Sequence, residues 1–238
     1  MPEFHHGYRD NHDLFVAEQQ RMLAVLQSLY AAFVKDGSPK AMLDLGCGDG
    51  IVTAAIVGTD PTVSVTLVDD STRMLERARE RLAGLDNVRC ILADFEDILL
   101  AHTITGTYDF VASSLALHRL MLGDKKSLFQ YIYDHLRPDG YFVILDIVLA
   151  PSDRLERWYF SLWREWMTEH DRFAGLGEEE IEKTINSFKD NNCNKPDTLN
   201  IQLEMLRFAG FVDVDCYFKY GMFALFGGRK PEAQETPI

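Results

Sequence analysis

The chain has 238 residues, 24 basic and 37 acidic, and a formal net charge of −13. That length can bury a large core as one domain, and 47 % hydrophobic residues exclude a disordered chain. The acidic balance is spread along the sequence and excludes a basic module built to grip nucleic acid or an anionic membrane surface.

Residues 11–34 carry Met22, Leu26, Leu29, Tyr30 and Phe33 at spacings of three and four, which predicts a helix ended by Asp36-Gly37-Ser38-Pro39. Residues 41–45 are a short apolar run that meets a glycine cluster. Residues 63–68 are β-branched and end on Asp69-Asp70. Ser71 can cap a helix to about Ala83, with Met74, Leu75, Ala78 and Leu82 on one face. Residues 88–92 and 108–113 read as a third and a fourth strand. A helix around residues 125–136 stops at Pro138-Asp139-Gly140, and residues 141–149 form a long apolar fifth strand. Strands apolar throughout and separated by helices predict a parallel sheet covered on both faces. Residues 151–197 interrupt the alternation with helical sequence. Residues 198–209 are helical, Gly210 stops them, and strands at 212–218 and 222–226 follow. Only Lys219-Tyr220-Gly221 joins that pair, so it is antiparallel.

Cys47, Cys90, Cys193 and Cys216 form no CxxC pair and read as free thiols in a reducing cytoplasm. The start, Met1-Pro2-Glu3-Phe4-His5-His6, lacks the regions of a signal peptide. No apolar run approaches the ~20 residues of a membrane helix, so a soluble cytoplasmic protein is expected. His5, His6 and His12 have no partner cysteine, and no metal is expected.

The sequence Leu43-Asp44-Leu45-Gly46-Cys47-Gly48-Asp49-Gly50 follows the first strand and opens a helix. Glycines there turn the chain sharply and admit a ligand to the main chain, and the helix start offers free amides. A dinucleotide fingerprint wants a small third position where Ile51 stands, and no P-loop pattern is present.

These residues resemble motif I of the class I S-adenosylmethionine-dependent methyltransferases, and most resemble their type 11/12-like small-molecule group. Further resemblances follow in order: Val65-Thr66-Leu67-Val68-Asp69-Asp70-Ser71, Thr72-Arg73-Met74-Leu75, Leu92-Ala93-Asp94-Phe95, Tyr108-Asp109-Phe110-Val111, Leu136-Arg137-Pro138-Asp139-Gly140-Tyr141 and Ala209-Gly210-Phe211. The resemblance implies an α/β three-layer sandwich. Its seven-stranded sheet has the order 3-2-1-4-5-7-6, with the last strand antiparallel and a helical insertion after strand five. One domain is implied, with a helical cap at 1–37, a cofactor core at 38–150, a lid at 151–197 and a final helix and hairpin at 198–230.

The implied cofactor is S-adenosylmethionine, leaving as S-adenosylhomocysteine, and the implied reaction is in-line methyl transfer to a small-molecule acceptor. Asp69 is the implied ribose ligand, with Asp70 as the register alternative. Asp94 and the Phe95 amide would meet adenine, and Met74 its face. Gly46, Cys47 and Gly48 would line the methionine part, with Asp44 and Ser113 beside them, so Cys47 is no nucleophile. His118 follows strand four and is the candidate general base. Tyr8, His118, Trp163 and Trp166 are candidate acceptor contacts; Leu155, Trp158, Tyr159, Leu162 and Trp166 form one helical stripe and Phe160, Trp163 and Met167 a second. The chain lacks an Asn/Asp-Pro-Pro-aromatic motif and a Pro-Cys dipeptide, which speaks against nucleic-acid bases as acceptors. A homodimer is left open. The competing readings are a methyltransferase-like domain that binds cofactor or a partner without transfer, and a nucleotide-linked oxidoreductase.

Overall fold

In the computed structural model, helix α1 (Gln19–Phe33) buries Met22, Leu26, Leu29 and Tyr30 as the spacing predicts. Phe33 departs from that face: it is 62 % exposed, with its ring stacked on Tyr141. The structure describes residues 15–101, 103–169 and 177–232. Strand β1 (Ala41–Leu45) leads through the glycine cluster into α2 (Ile51–Thr59). Strand β2 (Ser64–Asp69) is followed by α3 (Thr72–Arg81), and the Ser71 hydroxyl accepts from the Met74 amide as its cap. Strand β3 (Val88–Leu92) has the predicted bounds. It is followed by α4 (Phe95–Ala101), too short for its periodicity to be read from sequence.

Strand β4 (Tyr108–Ser114) ends in a 3₁₀ turn, Leu117–Arg119, before α5 (Leu122–His135). Strand β5 (Leu136–Ile147) begins earlier than predicted. The Pro138-Asp139-Gly140 bend lies inside it and not before it, because Asp139 N donates to Lys230 O and Lys230 N to Gly140 O. Asp139 takes a φ of 67° there. Then come α6 (Asp153–Glu169), α7 (Glu178–Lys189), α8 (Leu199–Phe208), β6 (Val212–Tyr220) and β7 (Phe223–Arg229).

The sheet has seven strands in the order β3-β2-β1-β4-β5-β7-β6. Strands β1 to β5 are mutually parallel, and β7 runs antiparallel to both neighbours. Side chains alternate between two cores. Met42, Phe110, Val143 and Leu225 face α1 and α6; Leu43, Val111, Phe142 and Phe226 face α5 and α8. The strand order reverses between β1 and β4, and Leu45 is in register with both Val68 and Ser113. Three carboxyl strand ends therefore meet at one crevice, the place where open α/β sheets take ligands.

The two stripes of α6 merge into one face. Tyr159, Phe160, Trp163, Trp166 and Met167 form one wide buried face, while Trp158 is 54 % exposed. No described helix is long and apolar enough to cross a membrane.

Candidate cofactor site

A cavity of about 430 Å³ opens at the β1–β4 reversal. Gly46, Cys47, Gly48, Asp69, Asp70, Met74, Asp94 and Phe95 all line it. Its floor is the loop after β1. Gly46 adopts a φ of +65°, and a Cβ there would sit 2.4 Å from the Ala116 Cβ. Only glycine lets the two loops touch. Arg81 bonds to Asp49 through its carbonyl and its carboxylate, which ties α3 to the same loop.

Asp69 sits at the end of β2. Its Oδ2 accepts from Gly48 N at 2.8 Å and its Oδ1 from Ser71 N at 2.9 Å. Each oxygen keeps a further lone pair, so the fixed carboxylate can still accept two hydroxyls. Burial raises its pKa, and the two amide bonds oppose that rise. Asp70 is exposed at the rim. Asp94 Oδ1 accepts from Asp97 N at 2.7 Å, which caps α4 and holds the carboxylate at the cavity. Phe95 packs its ring beside Gly46.

Cys47 is buried, and desolvation with nearby Asp44 and Asp69 pushes its thiol well above the usual range. A thiol held up in this way is a weak nucleophile.

Four expected residues lie elsewhere. Asp44 is fully buried under the loop and absent from the cavity wall. Its Oδ2 accepts from Thr53 Oγ1 at 2.6 Å, and its Oδ1 has no hydrogen-bond partner among the described residues. Burial pushes its carboxyl up to about 7, with the Asp69 charge adding to the rise and the Thr53 bond opposing it. Ser113 is buried and donates to Leu45 O at 2.8 Å; its neighbour Ser114 lines the cavity instead. A strand's alternation explains the one-residue difference. Trp163 and Trp166 lie on the buried face of α6, and Trp163 Nε1 donates to Phe15 O at 2.8 Å. Tyr8, His5, His6 and His12 lie outside the described residues.

His118 also lies outside the cavity wall and is 4 % exposed. Its Nδ1 is 2.6 Å from Asp146 Oδ1, and its own amide donates to Asp146 Oδ2 at 2.8 Å. It borders a separate apolar crevice with Phe15, Trp163 and Phe223, and Leu115 divides the two spaces. Leu115 holds a φ of 52°, which a branched side chain rarely adopts. Ser114, Leu115 and Ala116 reach the cavity wall from the segment after strand four that the sequence sets at the crevice, while Ile51, Arg119 and Leu120 on the wall went unassigned. The only available signal was their place after β4 and at the start of α2.

These residues fit S-adenosylmethionine. A fixed carboxylate suits a diol, a second carboxylate suits an amine, and a glycine loop leaves room for an extended chain. On the wall the carboxylates of Asp49, Asp69, Asp70, Asp94 and Glu96 outnumber Arg73, Arg77 and Arg119, a balance suited to a sulfonium.

A family model described as a methyltransferase domain matches residues 36–209. The carboxy-S-adenosyl-L-methionine synthase of Chromohalobacter salexigens is 28 % identical over 183 residues, covering 76 % of this chain and 65 % of that protein. The synthase of the same name from Aeromonas salmonicida is 29 % identical, covering 75 % and 70 %. The chain thus spans just under two thirds of the first relative. Among solved structures, the S-adenosylmethionine-dependent methyltransferase SibL in its apo form has a TM-score of 0.61 at 20 % identity, covering 90 % of this chain and 55 % of that one. An O-methyltransferase family protein from Burkholderia thailandensis has a TM-score of 0.65 at 16 % identity, covering 90 % and 57 %. These two likenesses concern the fold. Since the family model spans most of the sequence, the chain belongs to the class I S-adenosylmethionine-dependent methyltransferases.

Proposed function

We propose that this chain moves a methyl group from S-adenosylmethionine to a small-molecule acceptor. The observation that carries this reading is the cavity at the β1–β4 reversal, with Asp69 fixed by Gly48 and Ser71. The cofactor, when bound, supplies an electrophilic sulfonium methyl. The residues of this chain bind, orient and exclude water, which is where such an enzyme contributes most. Asp69 takes the ribose hydroxyls, Asp94 the adenine amine, and the Gly46–Gly48 backbone lines the methionine part. Ser114, Ala116 and Leu120 form the wall against which the acceptor lies. Asp44 supports the loop through Thr53 and touches no ligand. His118 holds the loop after β4 through Asp146, which takes its Nδ1 and its amide, and it borders the apolar crevice behind that wall. Four unpaired cysteines favour a reducing compartment, the cytoplasm. Calorimetry with S-adenosylhomocysteine tests the cofactor half of this reading. Radiolabelled methyl transfer to a metabolite extract tests the other.

A second reading is favoured by the names of the Chromohalobacter and Aeromonas relatives. In it the chain rebuilds the sulfonium substituent of the cofactor itself. Native mass spectrometry of the protein purified with its bound cofactor separates the two. An added carboxylate on the bound species supports the second reading, and unmodified cofactor the first.

A further inference from the structure

The loop after β4 carries a cation to the cavity. Arg119 closes the Leu117–Arg119 turn and lines the cavity with Ser114, Ala116 and Leu120, while α3 contributes Arg73 and Arg77 to the same wall. Among the described residues its guanidinium makes no hydrogen bond or ion pair, although its positive charge reaches Asp69.

The mount of this side chain is rigid. Its neighbour His118 gives two hydrogen bonds to Asp146 on β5. The His118 carbonyl accepts from Lys195 N at 2.6 Å. The Lys195 carbonyl in turn accepts from the buried Lys125 Nζ, which pairs with Asp197 at 2.6 Å. The loop is thereby clamped to β5, to α5 and to the chain returning from the insertion. A cationic sulfonium repels a guanidinium, so a ligand here must turn an anionic group towards Arg119. Guanidinium forks match carboxylates in bidentate geometry, and the clamped loop fixes where the Arg119 side chain starts.

We propose that Arg119 is the carboxylate-reading residue of this cavity. The carboxylate belongs either to the amino-acid end of the cofactor or to an acidic acceptor. The proposal rests on the methyltransferase reading given above.

The test uses the full chain, Arg119→Gln and Arg119→Lys. Calorimetry compares S-adenosylhomocysteine with 5′-methylthioadenosine, which keeps the adenosine and thioether but has no carboxylate. Saturation-transfer NMR follows benzoate on protein loaded with S-adenosylhomocysteine. A carboxylate on the cofactor predicts that Arg119→Gln weakens S-adenosylhomocysteine by on the order of tenfold or more, leaves 5′-methylthioadenosine unchanged, and that Arg119→Lys restores part of the loss. A carboxylate on the acceptor predicts unchanged affinity for both nucleosides and loss of the benzoate signal in Arg119→Gln. Equal behaviour of wild type and Arg119→Gln towards all three probes overturns the proposal. Failure of the wild type to bind either nucleoside overturns the methyltransferase reading instead.

Discussion

His118 Nδ1 lies 2.6 Å from Asp146 Oδ1, and both side chains are buried. The same carboxylate accepts the His118 amide and the Ile147 amide, each at 2.8 Å. One residue at the end of β5 thus fixes the loop that walls the cavity, 28 positions earlier in the chain.

Removing that carboxylate strands three buried donors. Asp146→Ala is expected to cost about 3 kcal/mol or more, since each unsatisfied buried group costs about 1–3 kcal/mol. Urea denaturation measures this. A loss below about 1 kcal/mol, within the range of ordinary surface substitutions, would contradict the clamp.

Asp44 sets a pH dependence. Its folded pKa, about 7, lies above its ordinary value of 3.8 because of burial. A group raised on folding stabilises the protein fully below its unfolded pKa, and that contribution is lost as pH rises through the folded value. Stability is therefore expected to fall between about pH 4 and pH 7, by up to about 4 kcal/mol at 1.4 kcal/mol per unit. Asp44→Asn keeps an acceptor for Thr53 Oγ1 and removes this slope. Parallel slopes in wild type and variant, from denaturation at several pH values, would refute the assignment.

Gly46→Ala combines a φ of +65° with a Cβ 2.4 Å from Ala116. The strained backbone alone is expected to cost about 1–3 kcal/mol. Adding Ala116→Gly removes the overlap but not the φ, so it recovers part of the loss. Complete recovery would show that the positive φ carries no cost.

Much of this arrangement was legible in the sequence because it is local. The β3 bounds, the parallel core and the antiparallel end follow from short apolar runs and from one three-residue connection. Asp69, Asp94 and the glycine loop reach the cavity because strand ends fix their place. What failed was side-chain direction. Ser113 and Ser114 differ by one step, and one step reverses the face. Asp44 looks like a ligand beside a glycine loop, yet it faces α2. The partners of His118 were unreadable, because Asp146 and Lys195 come from distant segments and no local pattern joins them. Trp163 and Trp166 share a helical stripe with core residues, and spacing alone cannot distinguish a pocket from a core.

The most direct test is calorimetric titration of wild type, Asp69→Asn and Asp70→Asn with S-adenosylhomocysteine. The wild type is expected to bind, and Asp69→Asn to weaken binding by about 1–3 kcal/mol, the scale for hydrogen bonds to a charged group. Asp70→Asn, at the exposed rim, is expected to change it by less. Absence of wild-type binding at millimolar ligand would contradict the central claim, and an unchanged affinity in Asp69→Asn would remove Asp69 from the ribose site.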